Sequence, residues 1–119
     1  MCFNFRMNNT RQKWLAQLRK GYLELCVMLL LDQLGAAYGL ALLRRFTDIG
    51  LEVNEGTLYP LLNRMHKNGW IDSYWETPAE GGHPRRFYCL SDHGKSLLPG
   101  MIEACRIQTN ALNSLMGSS

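Results

Sequence analysis

Apolar positions along this chain change period part-way, and the change divides it into elements. From Thr10 to Gly35, "TRQKWLAQLRKGYLELCVMLLLDQLG" is helical in pattern, with Thr10 placed as a cap and Gly35 as a stop. Gly21 is a candidate break within it. Before Gly21, Trp14, Leu15 and Leu18 form a narrow apolar stripe. After it, Tyr22 to Leu34 is apolar on most sides, as a central core helix would be. A second helix is expected from about Tyr38 to Thr47, with Leu42, Leu43 and Phe46 inward and Arg44 and Arg45 at its end.

The third helical stretch is "NEGTLYPLLNRMHKNGW", from Asn54 to Trp70. At about 100° per residue, Leu58, Leu61, Leu62 and Met65 fall on one stripe, the core face. Opposite lie Gly56, Thr57, Tyr59, Pro60, Asn63, Arg64 and Lys67. Pro60 has two placements. With Thr57 as cap it is the third helical residue, where a backbone N–H has no partner anyway. With the helix starting at Asn54, one bond to Gly56 is lost and a local bend follows.

The period then shortens. "WIDSYWE" and "RRFYCLS" read as two short strands, joined by the polar, Gly- and Pro-rich loop "TPAEGGHPR". The last stretch is again helical, with Ser91 as its N-cap and Asp92 complementing its first turn. Leu98, Met101, Cys105, Gln108, Leu112 and Leu115 make one stripe along it, with Ile102 beside them; Pro99-Gly100 threatens an early interruption. A lone helix with such a stripe has little to bury it on a small domain. A second copy of the chain is the economical partner, making these seven residues a dimerisation surface.

Three helices, a hairpin and a final helix predict a mainly α fold with a small antiparallel β-hairpin. This is a winged helix-turn-helix with N-terminal and C-terminal dimerisation helices. The segments expected are an N-terminal extension over 1–20, a DNA-binding domain over 21–91 and a dimerisation helix over 92–119. In that arrangement the third helix enters the major groove and the wing follows the backbone. The outer face of the third helix suits a groove: small residues where the backbone nears base edges, then Asn and Arg as donors. Arg85 and Arg86, behind the Gly-Gly tip, suit contact with phosphate or a narrow minor groove.

Composition narrows the function further. At 119 residues, 46% apolar and a net charge of +3, the chain is one modest domain, mildly basic. Cys2, Cys26, Cys89 and Cys105 never form C-x-x-C, and His66, His83 and His93 lack metal-ligand spacing. A cytoplasmic, reduced protein with no cofactor and no metal is expected. The longest apolar run, Leu25 to Leu31, is too short to span a bilayer. No nucleophile–base pair, phosphate-binding glycine loop or carboxylate pair points to an enzyme.

Several of these stretches together resemble the PadR family of bacterial transcriptional regulators. They are Tyr38-Gly39, "GTLYPLLNRMHKNGWI" from Gly56, Trp75, and "GGHPRRFYCLSDHG" from Gly81. The resemblance runs from about Gly21 to Leu98, and the single C-terminal helix is similar to that of the smaller subfamily. It implies a homodimeric repressor that binds a palindromic operator in double-stranded DNA and is released by an effector. The implied DNA contacts are Thr57, Tyr59, the basic residues after them and the wing arginines. With Tyr38, at the start of the second helix, and Asn54, at the start of the third, the candidate DNA-binding set is Tyr38, Asn54, Gly56, Thr57, Tyr59, Pro60, Asn63, Arg64, Lys67, Arg85 and Arg86.

The final helix carries no aromatic residue, which argues against a pocket for flat drugs at the interface. Trp14 and Tyr22, with Met101 and Cys105, are the alternative lining of an effector cavity. Two other readings stand beside the repressor. One is a ligand- or thiol-responsive sensor of the same fold, with Cys105 or an interface cavity as the input. The other is a winged-helix protein-interaction module without DNA contact.

Overall fold

The computed structural model describes the backbone of residues 2–117 and the side chains of residues 9–117. The expected segments 1–20 and 92–119 therefore run past the described residues at their outer ends. Helix α1 spans Cys2–Leu34 and is broken at Lys20 (φ −62°, ψ 132°) and Gly21 (φ 75°, ψ −43°). Gly21 is the break expected from the sequence. Its positive φ is open to glycine and costly for side chains with a Cβ. Thr10, expected as a cap, lies inside the helix instead, because the helix begins well before it. After the break, Leu23, Val27, Met28, Leu30 and Leu31 are buried, and this half of α1 is the central core helix. It ends at Gly35 (φ 80°), whose N–H donates to the Leu31 carbonyl at 2.8 Å.

The chain next forms a two-residue strand, β1 (Ala37–Tyr38), before helix α2 (Gly39–Asp48). Tyr38 is thus extended, not the first residue of a helix as its sequence position suggested. Its backbone finds a partner 49 residues away, in register with Phe87. The Tyr38 ring meets that of Phe87 edge-on at 5.4 Å. Such a pairing leaves no trace in local periodicity.

Helix α3 spans Glu55–Lys67, with Asn54 as its cap: the Asn54 side chain accepts from the Thr57 N–H at 3.0 Å. Of the two placements for Pro60, the earlier start is the one adopted. Pro60 is the sixth helical residue, and the Gly56 carbonyl lacks its usual donor. Leu58, Leu61, Leu62 and Met65 are buried as their spacing required. With Val27, Met28, Leu31, Leu42, Phe46 and Ile71 they form one core.

Strands β2 (Ile71–Glu76) and β3 (Arg85–Leu90) make the wing, in register from Ile71↔Leu90 to Glu76↔Arg85. With β1 on the other side of β3, the expected hairpin becomes a three-stranded antiparallel sheet of order β1-β3-β2.

Helix α4 spans Asp92–Met116 without interruption, so Pro99-Gly100 does not break it. Pro99 is exposed, and the Lys95 carbonyl that its ring leaves without a donor belongs to an exposed turn open to water. Ser91 joins three elements. Its N–H donates to the Trp70 carbonyl, its hydroxyl donates to the Gly69 carbonyl and accepts from the Gly94 N–H. Gly94 packs so closely on the Trp70 carbonyl that a Cβ would collide with it. The turn between α3 and β2, the end of β3 and the start of α4 are thereby tied at one point.

The apolar stripe of α4 divides in two. Leu98 is buried, and Met101 and Ile102 pack on the same core, with Cys105 half-buried beyond them. Gln108 is exposed, and so are Leu112 (51%) and Leu115 (86%). The first turns of the stripe therefore serve the chain's own core, against α1. Only the later turns remain open to a partner.

Candidate nucleic-acid interface

The outer face of α3 is built by the sequence spacing that buries its inner face. Gly56, Thr57, Tyr59, Pro60, Asn63, Arg64 and Lys67 are all exposed, as expected. Around the helix axis, Gly56, Pro60 and Lys67 run along the middle, Tyr59 and Asn63 turn to one flank, and Thr57 and Arg64 to the other. Lys67 and His66 lie in the last turn, where the carbonyl end of the helix favours positive charge. Asn54 stands at the head of the face, with its carbonyl oxygen committed to capping.

Tyr59 and Asn63 face the wing across an open groove of about 540 Å³. Tyr38, Trp75 and Arg85 form its other wall. The Tyr59 ring is 39% exposed and lies directly over Gly39. Burial, followed by the Glu55 carboxylate and Tyr88, pushes its hydroxyl above the ordinary value of 10.0. At neutral pH it is a firmly protonated donor at the mouth of the groove.

The two wing arginines differ. Arg85 is exposed, with its guanidinium over the Tyr38 ring at 4.7 Å from the centroid. Glu76 stands opposite it in the ladder, yet the guanidinium is turned to the aromatic face instead. Arg86 is half-buried, donates to Ser73 Oγ at 3.0 Å and lies over the Tyr88 ring at 5.3 Å. Both line the groove; Arg85 is exposed there, whereas Arg86 also braces β3 against β2 through Ser73.

Some contacts had no clear sequence signal. Arg64 Nε lies 4.0 Å from a Glu24 carboxylate oxygen on α1. Nothing local relates residues 24 and 64. Trp75 is 68% exposed at the groove wall, and β-strand alternation gave it no role beyond the sheet.

Of the four residues proposed to line an effector cavity, Tyr22 and Cys105 approach each other beside Cys26. Burial pushes the Cys26 thiol above its ordinary value of 9.0, against an opposing effect of the Tyr22 hydroxyl and with a smaller addition from Cys105. Burial raises Tyr22 as well. Trp14 is apart from them, 61% exposed and on the other side of the break in α1.

A sequence profile of the PadR-like family of transcriptional regulators matches residues 27–99. The chain belongs to that family. Solved PadR-like structures agree over nearly their whole length. A PadR-like transcription factor from Bacteroides fragilis is 33% identical, with a TM-score of 0.72 over 87% of this chain and 98% of that one. A PadR-like regulator from Bacillus cereus is 29% identical, with a TM-score of 0.76 over 87% and 99%. A PadR family regulator from Eggerthella lenta is 28% identical, with a TM-score of 0.73 over 97% and 99%. No functionally curated protein matches the sequence. The PadR-like family and these neighbours are transcriptional regulators and not enzymes. Among the described residues, no helix is long and apolar enough to cross a membrane.

Proposed function

We propose that this PadR-like protein is a homodimeric, sequence-specific repressor that binds double-stranded DNA through α3 and the wing and is released by an effector. The observation that carries the reading is the outer face of α3. It is small and uncharged at Gly56, Thr57 and Pro60, basic at Arg64 and Lys67, and flanked by Arg85 held in place over Tyr38. A face built to bind another protein would be more apolar. Small residues let the helix backbone approach base edges, and the cations behind them neutralise phosphates. Thr57, Tyr59 and Asn63 are the groove-side donors, and Arg64, Lys67 and Arg85 the phosphate contacts. Arg86 acts through the position it gives the wing.

The dimer is carried by the distal half of α4, where Leu112 and Leu115 are exposed together with Ile107 and Met116. Two such helices side by side would bury apolar surface that a single copy leaves in water.

The test is electrophoretic binding to the DNA upstream of the protein's own gene. Salt-sensitive retardation that Arg64→Ala weakens is the expected result. Equal, salt-insensitive behaviour of wild type and Arg64→Ala on every promoter fragment would remove the reading.

A further inference from the structure

The break at Lys20–Gly21 sends the first part of α1 past the head of α3. Arg19 and Lys20 line a small open cleft of about 160 Å³ whose other wall is Thr57, Pro60 and Arg64. The next cleft along brings Gln12 and Arg19 beside Glu52 and Asn54, in the turn before α3. The outer face of α3 is therefore bordered twice. Tyr59 and Asn63 face the wing and Arg85; Thr57 and Arg64 face this N-terminal arm.

We propose that the arm is a second phosphate clamp, in which Arg19 and Lys20 hold the DNA strand on the side of α3 away from the wing. A helix in the major groove has a phosphate backbone on each side of it, since the groove is roughly 12 Å wide. The wing's Arg85 serves one side. Arg64 is close to the other, but its guanidinium leans toward Glu24, which offsets part of its charge. Arg19 and Lys20 restore a net positive charge to that flank. Charge complementarity with a phosphate backbone selects the occupant, and the cleft is continuous with the face of α3. Both residues precede the segment, residues 27–99, that matches the family profile.

The break makes this geometry. A straight α1 would carry residues 9–20 along the axis of the core helix. Gly21, at φ 75°, redirects them, and Lys20, in extended conformation just before it, sits at the bend.

The inference rests on DNA binding by α3, and the experiment separates the two. Affinity of the full chain for its upstream DNA is measured at several salt concentrations for wild type, Arg85→Ala and the double variant Arg19→Gln/Lys20→Gln. Both arm side chains lie outside the core, and circular dichroism checks that the fold is kept. The expected result is weaker binding by the double variant and a log K against log salt slope reduced by about 2 per bound copy. Arg19→Lys alone should keep most of the slope. A double variant that matches wild type in affinity and slope, while Arg85→Ala loses both, would overturn the clamp and leave the DNA reading standing. Tighter binding by the double variant would overturn it too, because an arm that covers α3 gives that result. Wild type without salt-sensitive binding would instead remove the DNA reading, and the clamp with it.

Discussion

The ring of Tyr59 occupies the space that a side chain at Gly39 would need. A Cβ built at Gly39 would approach Cε1 and Cζ of Tyr59 to 2.7 Å, and the hydroxyl oxygen more closely still. The first residue of α2 and the outer face of α3 are thus fitted to each other by the absence of one carbon. Gly39→Ala is expected to push the ring into the groove beside the wing. The overpacking should cost about 1–3 kcal/mol in denaturant unfolding and weaken DNA retardation together. Tyr59→Phe keeps the ring and should cost little stability, which isolates what the hydroxyl gives to binding.

Pro60 leaves the Gly56 carbonyl without its helical donor on a solvent-facing stretch. Pro60→Ala restores that bond and should raise unfolding stability by about 1–3 kcal/mol. A loss of stability in equilibrium unfolding would show that the proline fits this turn better than the helix geometry implies. Binding, measured on the same variant, should fall, since the new N–H and the altered bend change the middle of the groove-facing surface.

Alkaline pH should loosen the fold through Cys26. Its folded thiol is held above 9.0, mainly by burial, so the unfolded chain loses this proton first as pH rises. The stabilisation is fully present below the unfolded value and is lost as pH climbs through the folded one. Tyr22 and Tyr59, raised above 10.0, add the same sign at higher pH. Melting temperature under reducing conditions should fall from about pH 9 upward. Cys26→Ala should flatten the first part of that fall while lowering the melting temperature slightly at pH 7.

Leu112 and Leu115 should decide the assembly. Leu112→Glu with Leu115→Glu places two charges on the exposed end of α4 and leaves the core contacts of Leu98, Met101 and Ile102 intact. Light scattering should give a dimer for wild type and a monomer for the variant, with unchanged helical content. A variant that stays dimeric would move the interface elsewhere.

Much of this molecule is legible in its sequence because most of its elements are set by local rules. The stripe of Leu58, Leu61, Leu62 and Met65 located α3 and its buried face, and Ser91 marked the start of α4. Gly21 marked the break. What escaped depends on distant partners. Tyr38 looks helical until β3 pairs with it, and Pro99 looks disruptive until its exposed position is known. Leu98 reads as the first residue of a dimer stripe, yet α1 already covers it. The outer face of α3 was readable residue by residue. The division of labour between Arg85 and Arg86 was not, since Tyr38, Ser73 and Tyr88 reach them only across the sheet.

The knot at Ser91 has a geometric consequence. Its three hydrogen bonds and the tight seat of Gly94 fasten the start of α4 to the turn that follows α3. In the proposed dimer, with two copies paired through α4, the crossing angle at the distal end would set how far apart the two α3 helices stand. Readers of consecutive half-sites need a separation of about 34 Å, one turn of duplex. On that proposal, a molecule that wedges the α4 helices by a few degrees would change the half-site spacing the dimer fits without touching the outer face of α3.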